Sequence, residues 1–111
     1  MKEFLLIFRN TYNPHEHPSP EQLQERMNWL GNIIAQNKLV DKGNSLSVEQ
    51  AKTVRPEDVV TDGPYTEIKE FISGYMILRA ETIEEAIAIA KANPSLKDGG
   101  NIEVRAINKS E

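Results

Sequence analysis

Cysteine is absent from this 111-residue chain. Its absence excludes disulfide frameworks, thiolate metal sites and cysteine nucleophiles together, and it accords with a reducing compartment such as the cytoplasm. Basic runs are also absent, and Lys plus Arg number 13 against 17 Asp plus Glu, a formal net charge of −4. Direct nucleic-acid binding draws on clustered Lys and Arg that neutralise phosphates, so no nucleic-acid partner is expected. No apolar run is long. The run from Phe4 to Phe8 is too short for the core of a secretory signal and far too short to span a membrane. A cytoplasmic chain without a membrane partner is therefore expected. There is no internal repeat and no low-complexity stretch, so residues 1–111 are expected to form one domain. At this length about two-thirds of the unfolded surface can be buried without a metal or disulfide staple.

What is present reads as an alternation of strands and helices. Residues 3–9 suit a strand with Phe4, Leu6 and Phe8 on one face and Leu5 and Ile7 on the other. A loop over residues 10–19 carries Pro14 and Pro18 with His15 and His17. Ser19, Pro20 and Gln22 form a capping-box start to a helix running to about Gln36, with Leu23, Met27, Leu30 and Ile34 as its buried stripe. Arg26, Asn32 and Gln36 lie off that stripe. A strand is expected around residues 44–48. A small hairpin follows over 53–61, with Pro56 second in a type I turn of residues 55–58. Thr61, Asp62, Gly63, Pro64 and Tyr65 form a further turn. Residues 71–80 suit a strand with Phe71, Tyr75 and Ile77 against Ile72, Met76 and Leu78. Gly74 marks a bulge or a close backbone approach within it. Thr82 and Glu85 begin a second helix with Ile83, Ala86, Ile87 and Ala90 buried, and Asn93-Pro94 ends it. The last strand covers 102–107, with Ile102, Val104 and Ala106 sharing a face.

Strand, helix, strand, strand, helix, strand is the ferredoxin-like βαββαβ order, an α+β fold with an antiparallel sheet and both helices on one face. Two strands are apolar on both faces, yet the helices cover only one. A monomer would expose a broad apolar patch. A homodimer stacked sheet to sheet, a dimeric α+β barrel, would cover it.

The segment Val60-Thr61-Asp62-Gly63-Pro64-Tyr65-Thr66-Glu67-Ile68-Lys69-Glu70, followed by Gly74-Tyr75, resembles the signature of YCII-related domains of the DGPF subgroup, with Tyr65 where Phe is usual. Phe4 to Ile7, Ser19-Pro20-Glu21 and Ile102 to Arg105 extend the resemblance over almost the whole chain. It implies a dimeric α+β barrel and an accessory link to transcription regulation. Enzyme-like members of that family use a His on the first helix and an Asp near the end of the second. The positions similar to these are Arg26 and Asn93, neither of which can act as a general base near neutral pH.

Candidate site residues are few. Asp62, Gly63, Pro64 and Tyr65 with Glu67, Lys69 and Glu70 could line a ligand pocket; turn chemistry alone accounts for all of them except Lys69 and Glu70. Arg26 could hold an anionic ligand, or pair with Asp62 or Glu70, or be an ordinary surface arginine. His15 and His17 could bind a metal, but no third ligand is in sight, and an exposed loop explains them as well. Trp29 falls beside the helix stripe and suits a packing role. No metal or other cofactor is expected. The function that follows is a small homodimeric domain binding a small ligand or a partner protein. The alternative is an α+β barrel enzyme acting on a small organic substrate without metal or redox cofactor.

Overall fold

The computed structural model describes residues 1–11, 17–64 and 70–109, with the backbone alone at Thr11 and Glu70. The elements are β1 (Lys2–Thr11), α1 (Pro20–Ala35), β2 (Leu39–Asp41), β3 (Lys52–Arg55), β4 (Val59–Asp62), β5 (Glu70–Ala80), α2 (Ile83–Lys91), a short 3-10 helix (Pro94–Asp98) and β6 (Asn101–Ala106). The main sheet runs β2-β5-β1-β6 and is antiparallel throughout. With β3 and β4 set aside as a separate two-stranded hairpin, this is the ferredoxin-like order, and the chain is an α+β domain of that type.

Both helices pack on one face of the sheet. Phe4, Leu6, Met76, Leu78 and Ala80 on the strands meet Trp29 and Ile33 of α1 and Ala86 and Ala90 of α2 in one buried cluster. The small side chains of α2 let it lie close to the strands, so the core is thin and dense on that side. Each helix start is capped as its sequence directs. Ser19 and Gln22 exchange side-chain hydrogen bonds with each other's backbone N–H, at 3.1 and 2.8 Å. Thr82 Oγ1 accepts from the Glu85 N–H. The Glu85 carboxylate, however, accepts from the Glu81 N–H and pairs with Lys38 instead of completing the box.

The buried stripe of α1 differs from the expected one. Leu23, Met27 and Ile34 are exposed, Leu30 is half-buried, and the buried positions are Trp29 and Ile33. The reason is size and polarity together. A tryptophan brings the largest apolar area of any side chain along with one N–H to satisfy. Turning α1 by about one residue puts Trp29 inward, where its Nε1 donates to the Ile89 carbonyl at 2.9 Å. Likewise Ile83 and Ile87 of α2 lie at the edge of exposure, and only the alanines of the expected stripe are buried.

Strand β2 is also displaced from the expected residues 44–48. Asn37, with φ of 58°, reverses the chain at the end of α1, and Leu39 enters the sheet at once, opposite Leu78. Gly43 then turns the chain away. Its φ is +69°, its N–H donates to the Asp41 carboxylate at 2.7 Å, and a Cβ there would lie 1.7 Å from the Tyr75 carbonyl oxygen. Only a single bridge, Ser45 to Gly74, remains of the expected strand.

On β5 the expected irregularity is present, one residue before the glycine. Phe8 pairs with Gly74 and Arg9 with Ile72, so Ser73 is the extra residue of a bulge. The bulge exchanges the faces of the residues before it. Phe71 joins the helix-covered face with Asn10, and Ile72 the open face with Arg9, the reverse of simple alternation. The hairpin lies where expected, but Glu57 and Asp58 have φ of 66° and 61°. A positive φ at the third turn position excludes type I.

Candidate functional site

A cleft of about 670 Å³ opens between α1, the bulged end of the β1–β5 pair, the turn after β2 and the 3-10 segment. Its base is apolar: Phe8, Trp29, Leu30, Phe71 and Met76. Phe8 and Trp29 meet edge to face, with ring centroids 6.4 Å apart, a geometry the ring quadrupoles favour. The hydrogen bond to Ile89 fixes the indole, so this base is built rather than adventitious. Gly74 forms part of the wall, and there the Asn44 carbonyl approaches to within 3.0 Å of where a Cβ would sit.

The polar groups of the cleft come from four elements. On the sheet, Asn10 Nδ2 donates to Ser73 Oγ at 2.6 Å, and Ser73 Oγ donates to the Phe8 carbonyl at 3.2 Å. The bulge thereby meets its own backbone need and presents a polar end to an apolar base. On the turn after β2 lie Asn44, whose Nδ2 donates at 3.1 Å to the hydroxyl of Tyr75, a residue of the open sheet face, and Lys42 at the rim. From α1 come Gln22 and Arg26. Beyond α2, Asn93 is 8% exposed and Asp98 lies at the rim. Asn93 caps the 3-10 segment: its Oδ1 accepts from the Ser95 N–H at 2.8 Å. That bond assigns the oxygen and leaves the amide Nδ2 without a partner among the described residues. Arg26 makes no ion pair or hydrogen bond among the described residues either.

The sequence-based candidates do not all gather here. Arg26 lines the cleft. Asp62 ends β4, is exposed and pairs with Lys52 across the hairpin, not with Arg26. Gly63, at φ +83°, donates its N–H to the Ala51 carbonyl at 2.8 Å and accepts from Thr53 Oγ1 at 3.0 Å. Pro64 follows, half-buried. Asp62, Gly63 and Pro64 do not line the cleft; what they do in the hairpin is turn chemistry. Tyr65, Glu67 and Lys69 lie outside the described residues, as does His15, and Glu70 is described through its backbone alone. His17 is exposed. Among the described residues no group of three His, Cys, Asp or Glu side chains could hold a metal, and no helix is long and apolar enough to cross a membrane.

Asn10, Ser73 and Asp98 were not singled out by sequence reasoning. The one signal for them was Gly74, which placed an irregularity on β5 but not the serine that carries it. Arg26 and Asn93, the two positions similar to a family dyad, both line the cleft, so that resemblance points to the same place as the geometry.

The chain is a ferredoxin-like α+β domain with a cleft of about 670 Å³ between helix and sheet. A family model described as YCII-related domain matches residues 10–110, and the chain belongs to that family. No curated protein matches it.

Proposed function

We propose that the chain works in the cytoplasm as a homodimer, each protomer holding a small organic molecule in the cleft between α1 and the sheet. The cleft carries the reading. Ligand sites typically enclose about 300–1,000 Å³, with an apolar lining and a few convergent polar groups, and this cleft has the size, the aromatic base and the polar rim. The dimer is supported by the open face of the sheet, where Leu5, Ile7, Tyr75 and Ile77 are half-buried and Ile72 is exposed. A second copy stacked there would cover these residues and close a barrel. The likeness of residues 60–70 to the DGPF subgroup supports an accessory role in transcription regulation, exercised through a partner protein rather than through DNA.

One observation favours turnover as a second reading. Asp98 brings a carboxylate to the same cleft as Arg26, and a carboxylate can act as general base. Conversion of a bound compound that is lost in Asp98→Asn would put catalysis in place of binding.

The test is a thermal-shift screen of small organic acids, amines and neutral aromatics on the wild type and on Ser45→Trp. Ser45 is an exposed residue of the cleft wall, so the indole fills the site while the core is untouched. A true ligand at 100-fold its Kd stabilises by about 2.7 kcal/mol, roughly 10 °C for a domain of this size. It should do so for the wild type only. No hits, or hits that stabilise both proteins equally, overturn the cleft reading.

A further inference from the structure

Resting on that cleft reading, we infer that the ligand is a small organic anion, a carboxylate on an aromatic or apolar body, with Arg26 as its anchor.

The cleft has spare cationic and amide donors. The Arg26 guanidinium carries five N–H groups in a planar fork, none of them taken up among the described residues. Lys42, at the rim, likewise has no ion pair or hydrogen bond among the described residues. The Asn93 amide is a third donor. The residue is more than nine-tenths buried, its oxygen is committed to the Ser95 N–H, and its NH₂ has no protein acceptor among the described residues. Among the described residues only Arg9 Nε is both buried and unpartnered, so the Asn93 Nδ2 keeps an opening to the cleft and is a donor that a ligand oxygen can reach. Some acceptors on the described lining already receive a donor. Ser73 Oγ receives Asn10, and the Asp98 carboxylate receives Gln22 Nε2 at 3.5 Å.

Charge points the same way. The chain as a whole is acidic at −4, yet the described lining holds two cations, Arg26 and Lys42, against one carboxylate, Asp98. An acidic protein that keeps a locally cationic cleft selects anions at that place. Below the cations lie Phe8, Trp29 and Phe71, which suit a flat apolar body, and a carboxylate above it matches the guanidinium fork. The opposing arrangement, in which Arg26 swings onto Asp98 and neutralises the rim, is open to the same experiment.

Trp29 is the only tryptophan, so its indole N–H resonance is a single-site reporter of the cleft base. The probes are phenylacetate and phenylacetamide, alike in ring and size and different in charge. Phenylacetate should shift the Trp29 resonance and bind at least tenfold more tightly than the amide. Arg26→Gln, a change on an exposed helix position, should cost phenylacetate about tenfold and leave the amide unchanged. Asp98→Asn should tighten phenylacetate. Equal affinity for the two probes, or an Arg26→Gln protein that binds phenylacetate as the wild type does, overturns the anion inference while the Trp29 shift keeps the cleft reading. If neither probe moves Trp29 the inference also falls, and the cleft reading then rests on the library screen, whose hits would have to be neutral or cationic.

Discussion

The indole Nε1 of Trp29 donates to the main-chain carbonyl of Ile89 at 2.9 Å, a direct tie between the two helices. The Ile89 carbonyl also accepts the Ala92 N–H at 3.2 Å. Trp29→Phe therefore removes a donor but leaves the carbonyl with a partner. The expected cost is about 1 kcal/mol, the net worth of a typical hydrogen bond, with some added loss from the smaller ring. Urea unfolding followed by circular dichroism measures it. A change under a few tenths would mean that the tie is not made in solution.

Gly43→Ala should be far more damaging than its chemistry suggests. The new methyl would meet the Tyr75 carbonyl oxygen at 1.7 Å, and the backbone φ of +69° is already unfavourable for alanine. Neither neighbour is a flexible side-chain tip, so the turn after β2 must move. We expect a loss of roughly 3 kcal/mol or more, in the range that backbone strain and steric conflict reach. Unfolding near the wild-type midpoint would show that this turn is not as drawn.

The Asn10–Ser73 contact should behave as a coupled pair. Asn10→Ala and Ser73→Ala should each cost about 1–2 kcal/mol, because each strands a part-buried group. The double variant should cost less than the sum by about 1 kcal/mol. A strictly additive cycle would show that the 2.6 Å contact carries no energy.

Acid should weaken the fold partly through Glu85. Its hydrogen bond to Lys38 holds the carboxyl below the ordinary carboxylate range, with partial desolvation opposing and the Glu81 N–H assisting. A folded value below the unfolded one, about 4.3, means stability that is present above that pH and lost as pH falls through the folded value. Melting temperatures taken from about pH 6 to about pH 3 should fall more steeply for the wild type than for Glu85→Gln. Parallel profiles would remove Glu85 from the acid response.

The open sheet face can be tested at Ile77, which stands opposite Leu5 on the central strands. Ile77→Lys should leave the protomer folded, since the face has no helix over it, and should hold the solution mass at 12.6 kDa where the wild type gives twice that. A wild type that is itself monomeric by light scattering would defeat the barrel proposal.

How much of this could be read from the chain divides along local and non-local lines. Ser19 with Gln22, Thr82 with Glu85 and the hairpin at Pro56 were legible because each needs only neighbours within a few residues. The order of elements, and with it the fold, followed. The rotation of α1 was not legible, because Leu23, Met27, Leu30 and Ile34 make a cleaner stripe than Trp29 and Ile33 do. Only the Ile89 carbonyl, 60 residues away, makes the second choice better. The cleft was illegible for the same reason on a larger scale. Asn10 and Ser73 are 63 positions apart, and Gln22 and Asp98 are 76 apart. Nothing in the local pattern of either member announces the other. Arg26 was visible as a candidate, but its neighbours were sought in the hairpin turn instead of on β5 and beyond α2.

The hairpin of β3 and β4 leaves the main sheet beside Ser73, where the Leu46 N–H donates to the Ser73 carbonyl at 2.8 Å, and the chain rejoins the sheet three positions away at Glu70. Its two ends are thus moored to one short stretch of a single strand, and among the described residues its own ladder joins no other. Architecturally it is an appendix on a closed circuit, which the ferredoxin-like order neither requires nor notices. Such an appendix can lengthen, shorten or change its surface over evolutionary time without disturbing the register of the four main strands. The signature-like segment is thus divided between two bodies, with Val60 to Asp62 on that appendix and Gly74-Tyr75 on the main sheet.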